Sequence, residues 1–314
     1  MLIKSADDKA AQLTVLRNLL AHERVPYEKK VLIERELRNV STGIATEKQA
    51  AYEIDFYAES SKNLFVIHDL RLEVGGRVAQ IDHVLMNRAF EVFVLETKTF
   101  SSGLSINEMG EFSTFYDGKE VGIPSPVEQN ARHKSVLKDA FKEIGLPKRL
   151  GITLQPAFNS LVLVSPKAII NRPKTGDLDA SVIKLDQFFT WYHKKMDALT
   201  LKDAVGMFKV CSSKTIQEMG EKLLLLHKPG RIDYIKKFGL ASVLVNPEPN
   251  PPARADSKGG IDCEEVKSKE PLKYFCAKCK SSIAEVVAKY CWNNRARFSG
   301  KAFCRACQAT MKAQ

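Results

Sequence analysis

The sequence contains no long apolar run. No stretch approaches the roughly eighteen consecutive apolar residues that a transmembrane helix needs. The opening residues, MLIKSADDKA, also lack the apolar segment and small-residue cleavage site of a signal peptide. We therefore expect a cytoplasmic protein without a membrane partner. Because 314 residues exceed the usual size of one domain, we expect two or more units.

Acidic residues are almost missing from residues 271–314, where Glu285 is the only one. Nine lysines and arginines share this segment, so it carries a net charge of +8 out of +11 for the whole chain. Such an uneven charge predicts that this tail binds a polyanion. The alternative is a charged surface that only promotes solubility.

The cysteines number seven, and this odd count in a cytoplasmic chain argues against a disulfide framework. Four of them form two C-x-x-C pairs in the tail, Cys276 with Cys279 and Cys304 with Cys307. Four thiolates in this pattern predict a closed, tetrahedral, structural Zn²⁺ site. A redox role for these pairs is disfavoured because no βαβ pattern surrounds them.

Composition and periodicity divide the chain into five parts. The predicted parts are a helical segment (1–40), an α/β domain (41–185), a helical region (186–245), a flexible linker (246–270) and a zinc ribbon (271–314). Within the α/β domain the pattern predicts a helix from about 42 to 57, strands at 64–68, 77–86, 90–99 and 158–165, a hairpin around Asp117-Gly118, and a helix ending near 144.

Two neighbouring predicted strands each carry an acid inside an apolar run, Asp82 and Glu96. Burying a charge is costly unless it is paired or binds a metal. If residues 88–90 form a three-residue loop, the register sets Asp82 opposite Glu96, with Cβ atoms roughly 4.5–5.5 Å apart. Alternation then places Lys98 on the same face as Glu96. The alternative is an ordinary salt bridge between Lys98 and either acid.

This constellation suits phosphodiester hydrolysis. Two hard oxygen ligands let Mg²⁺ (or Mn²⁺) keep waters and accept a phosphate oxygen. The metal polarises the phosphate and activates a water, and a lysine beside it offsets the developing negative charge. The residues therefore indicate a metal-dependent nuclease.

Several motifs resemble the nuclease-related domain (NERD), a branch of the PD-(D/E)xK nuclease superfamily. In order, they are Gly43-Ile-Ala-Thr-Glu47, Ile81-Asp82-His83-Val84, Leu95-Glu96-Thr97-Lys98 and Pro126-Val-Glu-Gln129. The resemblance covers residues 43–145. It implies a restriction-endonuclease-like core, a mixed sheet flanked by helices, to which this chain adds further helices and a small zinc ribbon.

The resemblance also implies roles. Asp82 and Glu96 would hold Mg²⁺, and Lys98 would orient the attacking water of an endonuclease. Glu47 would be a helical acid that completes the metal site, and Gln129 would lean into the pocket from a helix.

One departure from the family concerns the helical acid. The family usually has glycine immediately before it, whereas Thr46 precedes Glu47 here. Glu53 is therefore the alternative for this role. Helical spacing sets His133 on the side of Gln129, and we interpret His133 as a packed core residue.

The tail resembles the C4 zinc fingers attached to bacterial type I topoisomerases, which grip single-stranded DNA. Aromatic residues interleave with its basic residues, as base-stacking platforms would. The candidate nucleic-acid-binding residues are Trp292, Arg295, Arg297, Phe298, Lys301 and Arg305. Of the rings, we expect Trp292 or Phe298 to be exposed while the others form a small core.

Taken together, the patterns predict a metal-dependent endonuclease that acts on nucleic acid, with DNA favoured over RNA. The alternative is a non-catalytic nucleic-acid-binding or scaffold protein that keeps a nuclease-like fold. The helical regions could also support a homo-oligomer or bind a protein partner.

Overall fold

The computed structural model of the chain divides into two units, Met1–Glu248 and Pro249–Gln314. It describes residues 1–100, 102–116, 118–173, 181–202, 210–245, 274–279, 281–283, 287–288, 291–292, 298–304 and 307–308. Among these residues, no helix is both long enough and apolar enough to cross a membrane. The predicted linker, residues 246–270, lies outside the described residues.

Helices and short strands follow one another along the first unit. The helices are α1 (Ala10–Ala21), α2 (Tyr27–Glu59), α3 (Pro126–Ile144), α4 (Phe188–Lys202), α5 (Ser213–Leu225), α6 (Tyr234–Phe238) and α7 (Ala241–Val245). The strands are β1 (Leu2–Lys4), β2 (Leu64–Val74), β3 (Arg77–Asn87), β4 (Glu91–Lys98), β5 (Leu104–Ile106), β6 (Phe112–Tyr116), β7 (Lys119–Ile123), β8 (Lys148–Arg149), β9 (Ile152–Thr153), β10 (Ala157–Val164), β11 (Ile170–Asn171) and β12 (Val182–Lys184).

A six-stranded mixed sheet in the order β1-β2-β3-β4-β10-β12 forms the centre of this unit. β2, β3 and β4 are antiparallel, whereas β10 runs parallel to both β4 and β12. Apolar side chains cover both faces, one packed against α3 and α5 and the other against α2 and α4. Burial of both faces by helices is the usual way in which such a sheet builds a core. The predicted α/β class is confirmed.

A second, four-stranded sheet has the order β11-β5-β6-β7. Its β6–β7 hairpin is the one that the sequence predicts, and Tyr116 pairs with Lys119 across the turn. Gly118 has a φ of 75°, the left-handed conformation that a two-residue hairpin turn requires. Asp117 lies outside the described residues. Apolar residues of β5 and β6 pack against the ends of β10 and β12.

The helix predicted to begin near Thr42 begins instead at Tyr27, so the predicted boundary between residues 40 and 41 falls inside α2. The first half of α2 buries Ile33 in a cluster with α1, α6 and the segment after α6. These tertiary contacts explain why the helix continues through Gly43, a residue that weakens a helix by about 1 kcal/mol relative to alanine. The predicted N-terminal helical segment also contains a strand, β1, beside β2.

Two central strands change face at the same level of the sheet. In β2, Ile67 and Leu70 both face the α3 side although they are three residues apart, and in β3 Ile81 and Val84 do the same. Regular alternation would place each pair on opposite faces. The change in β2 occurs at Asp69, whose φ is 50°, a left-handed conformation that aspartate tolerates better than most residues.

Candidate active site and cysteine cluster

Glu96 lies near the end of β4 and is buried. Its Oε1 accepts hydrogen bonds from Gln129 Nε2 at 2.9 Å and from Lys98 Nζ, which lies 2.7 Å away as an ion pair. Its Oε2 lies 3.2 Å from Nδ1 of His133. The prediction that Lys98 shares a face with Glu96 is confirmed. The side chain of His133 is largely buried, and its ring lies against this carboxylate.

The pKa of Glu96 reflects these neighbours. Burial works to raise it, but the neighbouring ring of His133 and the charge and hydrogen bond of Lys98 outweigh burial and lower the pKa. Glu96 is therefore held as a carboxylate within the fold.

Helix α3 is fixed to the sheet by Asn130. Its Nδ2 donates to the carbonyl oxygens of Val94 at 3.0 Å and Leu161 at 2.8 Å, and so bridges β4 and β10. The hydroxyl of Ser125 caps the start of the helix. Gln129 and His133 are one turn apart and point to the end of β4 because the buried amide between them sets the rotation of the helix.

Asp82 lies in β3, just beyond the part of that strand that pairs with β4. The predicted pair of Met86 with Val92 is confirmed, but the ladder ends one pair before Asp82 would meet Glu96. The carboxylate of Asp82 instead accepts two hydrogen bonds from Thr97, one from the backbone N–H and one from the hydroxyl, each 2.7 Å long. These two bonds fix the orientation of Asp82 next to the end of β4.

Burial raises the pKa of Asp82 to about 8, and the negative charges of Glu96 and Glu47 add to the increase. Hydrogen bonds from Thr97 act in the opposite direction. Burial is the main cause, because removing a carboxylate from water disfavours its charged form.

Glu47 extends the inward-facing stripe of α2 by one turn. The buried residues of that stripe are Ala50, Ala51, Ile54 and Ala58. Burial raises the pKa of Glu47, and the charges of Asp69 and Glu96 contribute, although a hydrogen bond from Lys9 opposes them. Glu53 lies off the stripe by helical spacing, so the geometry favours Glu47 as the helical acid. Thr46, which replaces the family's glycine, contacts the hydroxyl of Thr99.

Three side chains near these acids were not singled out by the sequence patterns: Lys9, Asp69 and His68. Asp69 is an acid inside the apolar strand β2, the same signal that identified Asp82, so it could have been found. Lys9 lies in a charged segment without a pattern. The ring of His68 has a partner at each nitrogen: its Nδ1 lies 2.7 Å from Nδ1 of His83, and its Nε2 lies 3.0 Å from Asp55.

The acidic residues fit a hard divalent cation. Oε2 of Glu96 is buried and makes no hydrogen bond, although Nδ1 of His133 lies 3.2 Å away, so this oxygen can bind a cation. Within the described residues the carboxylates do not form a group of three whose oxygens all lie within 4.8 Å of one another. This agrees with Mg²⁺, which usually takes one or two carboxylates and keeps several waters.

Replacing Asp82 with asparagine should raise the melting temperature of the metal-free protein at pH 8 by about 3 °C or more. The folded protein holds the proton of Asp82 up to about pH 8, whereas the unfolded chain releases it near pH 4. The native state therefore binds more protons between these values, and stability falls as the pH rises through them. The asparagine side chain has no proton to release in this range, so the substitution removes this loss of stability.

Thermal melting from pH 5 to pH 9 in EDTA checks this, with Asp139→Asn as the control. Asp139 is a surface acid whose pKa is lowered by hydrogen bonds from Lys142 and Arg77, so its replacement should not stabilise the protein at pH 8. Identical pH profiles for wild type and Asp82→Asn would contradict the raised pKa.

The second unit gathers the four predicted zinc cysteines. One ligand atom from each lies within 4.8 Å of all the others, and the four residues are Cys276, Cys279, Cys304 and Cys307. The backbone N–H of Cys276 donates to Ser281 O within the segment of the first C-x-x-C turn, and Ala277 N–H donates to Ala302 O near the second turn, each at 2.8 Å. Burial works to raise the pKa of Cys276, but hydrogen bonds from backbone N–H groups lower it to about 6. The arrangement could hold a metal ion such as Zn²⁺.

The described rings of this unit mostly form its core. Phe298 is 1% exposed, so the expectation that it is an exposed stacking platform is wrong. It packs with Phe303 in the buried core of this unit. Trp292 is half-buried against Tyr274. The exposed ring is Phe275, at 61%.

Of the predicted basic contacts, Lys301 is exposed. The other three lie outside the described residues: Arg295, Arg297 and Arg305. Strands β13 (Tyr274–Phe275) and β14 (Ser282–Ile283) pair antiparallel beside the first C-x-x-C turn. Cys291 is buried in the core, where its Sγ lies 3.4 Å from the backbone nitrogen of Phe303.

Comparison with protein families places these acids in context. The family model of the nuclease-related domain matches residues 42–165. This part of the chain is a NERD domain. No curated protein and no solved structure matched the chain.

All five residues that the sequence assigned to the nuclease site lie inside the NERD domain: Glu47, Asp82, Glu96, Lys98 and Gln129. Lys9 and the four-cysteine cluster lie outside it. The NERD domain thus contains the end of β4, the part of α2 that bears the helical acid, and α3, while an earlier segment supplies a lysine to the same cluster.

Proposed function

We propose that the NERD domain is a Mg²⁺-dependent endonuclease that hydrolyses phosphodiester bonds of DNA. The observation that carries this proposal is the state of Glu96. This buried carboxylate has Lys98 and Gln129 on one oxygen, while its other oxygen makes no hydrogen bond and has only the ring of His133 beside it, 3.2 Å away at Nδ1. A purely structural acid would satisfy both oxygens, whereas a metal ligand leaves one for the cation.

Asp82 and Glu96, with Glu47 behind them, would hold the metal. When bound, Mg²⁺ supplies a positive charge that polarises a phosphate oxygen and lowers the pKa of a coordinated water. Thr97 keeps the Asp82 carboxylate oriented through two hydrogen bonds. Gln129 holds one oxygen of Glu96 and thereby turns the other toward the cation.

Lys98 is the group of this chain that meets the reacting atoms. Its Nζ is held 2.7 Å from Glu96 and remains partly exposed, at 31% of the side chain. Three N–H donors there can orient the attacking water and offset the charge that develops on the phosphate oxygens. Water adds to phosphorus, the P–O bond to the leaving oxygen breaks, and that oxygen takes a proton.

The cysteine-rich unit is proposed to hold a structural Zn²⁺ and to bind nucleic acid, with single-stranded DNA as the preferred form. The exposed ring of Phe275 and the exposed Lys301 support this proposal, since stacking and phosphate contacts together bind single strands. A cytoplasmic location and a homo-oligomer or protein partner at the helical regions stay predictions from the sequence.

A non-catalytic scaffold is the second candidate. The observation in its favour is that three of the acids already have partners within the chain: Lys9 for Glu47, Thr97 for Asp82 and Lys98 for Glu96. A scaffold could keep these contacts without binding a metal.

A cleavage assay with the full zinc-loaded chain decides between the two. Supercoiled plasmid, circular single-stranded DNA and circular RNA are incubated with Mg²⁺, Mn²⁺ or EDTA. We expect cuts in the circular DNA substrates with either metal and none in EDTA. Circular substrates show that the cuts are internal. No cleavage under any condition supports the scaffold, cleavage in EDTA contradicts the metal mechanism, and a preference for RNA overturns DNA as the substrate.

A further inference from the structure

Lys9 reaches the acidic cluster from outside the NERD domain. It immediately precedes α1, and its Nζ forms ion pairs with Oε2 of Glu47 and, at 2.9 Å, with Oδ1 of Asp69. The side chain of Lys9 is 19% exposed and that of Asp69 only 4% exposed. An ammonium group is therefore largely buried between two carboxylates that come from different elements, α2 and β2.

Asp69 belongs to the same cluster as the acids of the proposed metal site. It lies opposite Asp82 in the β2–β3 register, since the pairs on either side are His68 with His83 and Leu70 with Ile81. The charges of Asp69 and Glu96 both act on Glu47, and those of Glu96 and Glu47 both act on Asp82. The four carboxylates therefore form one connected group.

The segment that carries Lys9 is held in place. Lys4 Nζ donates to Asp7 Oδ1 at 2.6 Å and to the carbonyl oxygen of His68 at 3.0 Å. The backbone N–H of Asp7 donates to Oδ2 of Asp69 at 3.0 Å. Burial works to lower the pKa of Lys9, but hydrogen bonds to Asp69 and Glu47 outweigh it and raise the pKa, so the group is a permanent cation.

The charge of the cluster points to a role for this cation. When Asp82 has lost its proton, four carboxylates are accompanied by two ammonium groups, those of Lys9 and Lys98, which leaves a charge of −2. One divalent ion balances that charge. We propose that the ammonium of Lys9 occupies the place of a second metal ion between Glu47 and Asp69, so that the site takes a single divalent ion. This inference rests on the proposed metal-dependent function.

The physical reason is that two neighbouring carboxylates, one buried (Asp69) and one half-buried (Glu47), are stabilised by a cation between them. A lysine supplies one charge at a fixed position, whereas a divalent ion would have to be bound and retained. If the lysine is replaced by an uncharged side chain of similar length, Glu47 and Asp69 gain the charge and the space to bind a second divalent ion.

Titration calorimetry of Mn²⁺ into the zinc-loaded full chain tests this. We expect Lys9→Met to bind one more Mn²⁺ ion than the wild type, and the extra ion to be lost in the double variant Lys9→Met/Asp69→Asn. Lys9→Arg keeps the charge and should bind as many ions as the wild type. Lys228→Met is the matched control. Lys228 pairs with Glu73, which lies in β2 as Asp69 does, but this ion pair is outside the cluster.

The number of bound Mn²⁺ ions distinguishes the role proposed for Lys9 from the proposed metal-dependent function. An extra ion in Lys9→Met supports the role of Lys9 when the wild type binds one ion or none, whereas equal numbers, or two ions in the wild type, overturn it. A wild type that binds no Mn²⁺ removes the metal from the proposed function but leaves the comparison intact. If Lys9→Met folds only when Mn²⁺ is present, with one ion more than the wild type, the role is also supported. If Lys9→Met fails to fold even with Mn²⁺, Lys9 is only structural and the proposal is overturned.

Discussion

Replacing Glu96 with glutamine should slow DNA cleavage by about 10³-fold or more, which corresponds to roughly 4 kcal/mol of transition-state stabilisation. Glutamine has the shape of glutamate but no charge, and it turns one oxygen into an N–H donor that faces Lys98 or the metal. Single-turnover rates on plasmid, measured at saturating Mg²⁺, check the effect. Calorimetry with Mn²⁺ should show weaker metal binding by the same variant.

Glu91→Gln is the matched control for this change. Glu91 begins the strand that Glu96 nearly ends, is also buried, and accepts a hydrogen bond from Asn159 at 2.6 Å. Both variants remove one negative charge from β4, but only Glu96 touches Lys98. We expect Glu91→Gln to cut DNA at the wild-type rate. Equal rates for the two variants would show that Glu96 is not part of the reaction.

Lys98→Met separates metal binding from rate enhancement. It should cut DNA about 10²–10³-fold more slowly, because a charged donor at the phosphate is lost, yet it should bind Mn²⁺ at least as tightly as the wild type. Lys184→Met, which removes a lysine at the end of β12, is the control. Loss of both properties in Lys98→Met would assign Lys98 to holding Glu96 rather than to the reaction.

Local signals were sufficient for most of the central sheet. Alternation of apolar and polar residues, together with turn residues, located β2, β3 and β4, the β6–β7 hairpin and α3. The pairing of Met86 with Val92 followed because a three-residue loop leaves one register in which the apolar faces agree. The predicted register thus placed Asp82 next to the end of β4 from the sequence alone.

The start of α2 could not be found in the same way. Gly43 and the polar residues before it weaken the local helical signal, so the pattern favoured a start near Thr42. The first half of α2 is stabilised by α1 and by Tyr234 and Phe238, which lie far along the chain. Only the tertiary structure contains that information.

The site was predicted only in part, for a related reason: local patterns do not contain the tertiary structure. Regular alternation assumes an unbroken strand, but β2 and β3 change face at Asp69 and Asp82. Asp82 therefore binds Thr97 instead of standing across the ladder from Glu96. Lys9 joins the acids through a segment whose position depends on β1 and β2, so its spacing from Glu47 in the sequence carries no signal.

Removing zinc should unfold the cysteine-rich unit while leaving the first unit folded. Among the described residues of that unit, six form a buried core: Cys276, Ile283, Ala288, Cys291, Phe298 and Phe303. So small a core cannot offset the conformational entropy of ordering the unit, whereas structural zinc contributes about 10–16 kcal/mol in comparable peptides. We expect one bound Zn²⁺ per chain, released by a strong chelator together with the structure of this unit.

The two tryptophans of the chain make this measurable, because Trp191 lies in α4 and Trp292 lies in the cysteine-rich unit. Trp191→Phe leaves Trp292 as the reporter, and its emission should shift to the red when zinc is removed. Trp292→Phe reports on the first unit and should not change. Unchanged emission of Trp292 after complete loss of zinc would contradict a structural role of the metal.

Two cysteine variants distinguish zinc ligation from packing and test whether the zinc site is needed for DNA binding. Cys304→Ala removes one of the four clustered thiols and should lower the zinc content of the purified chain. Cys291→Ala removes a buried thiol of the same unit that is not part of the cluster, and should retain the metal. If the unit binds DNA, only Cys304→Ala should weaken affinity for single-stranded DNA and reduce its dependence on salt, because it loses both ordered phosphate contacts and stacking. Undiminished affinity in Cys304→Ala would move the DNA-binding surface to the first unit.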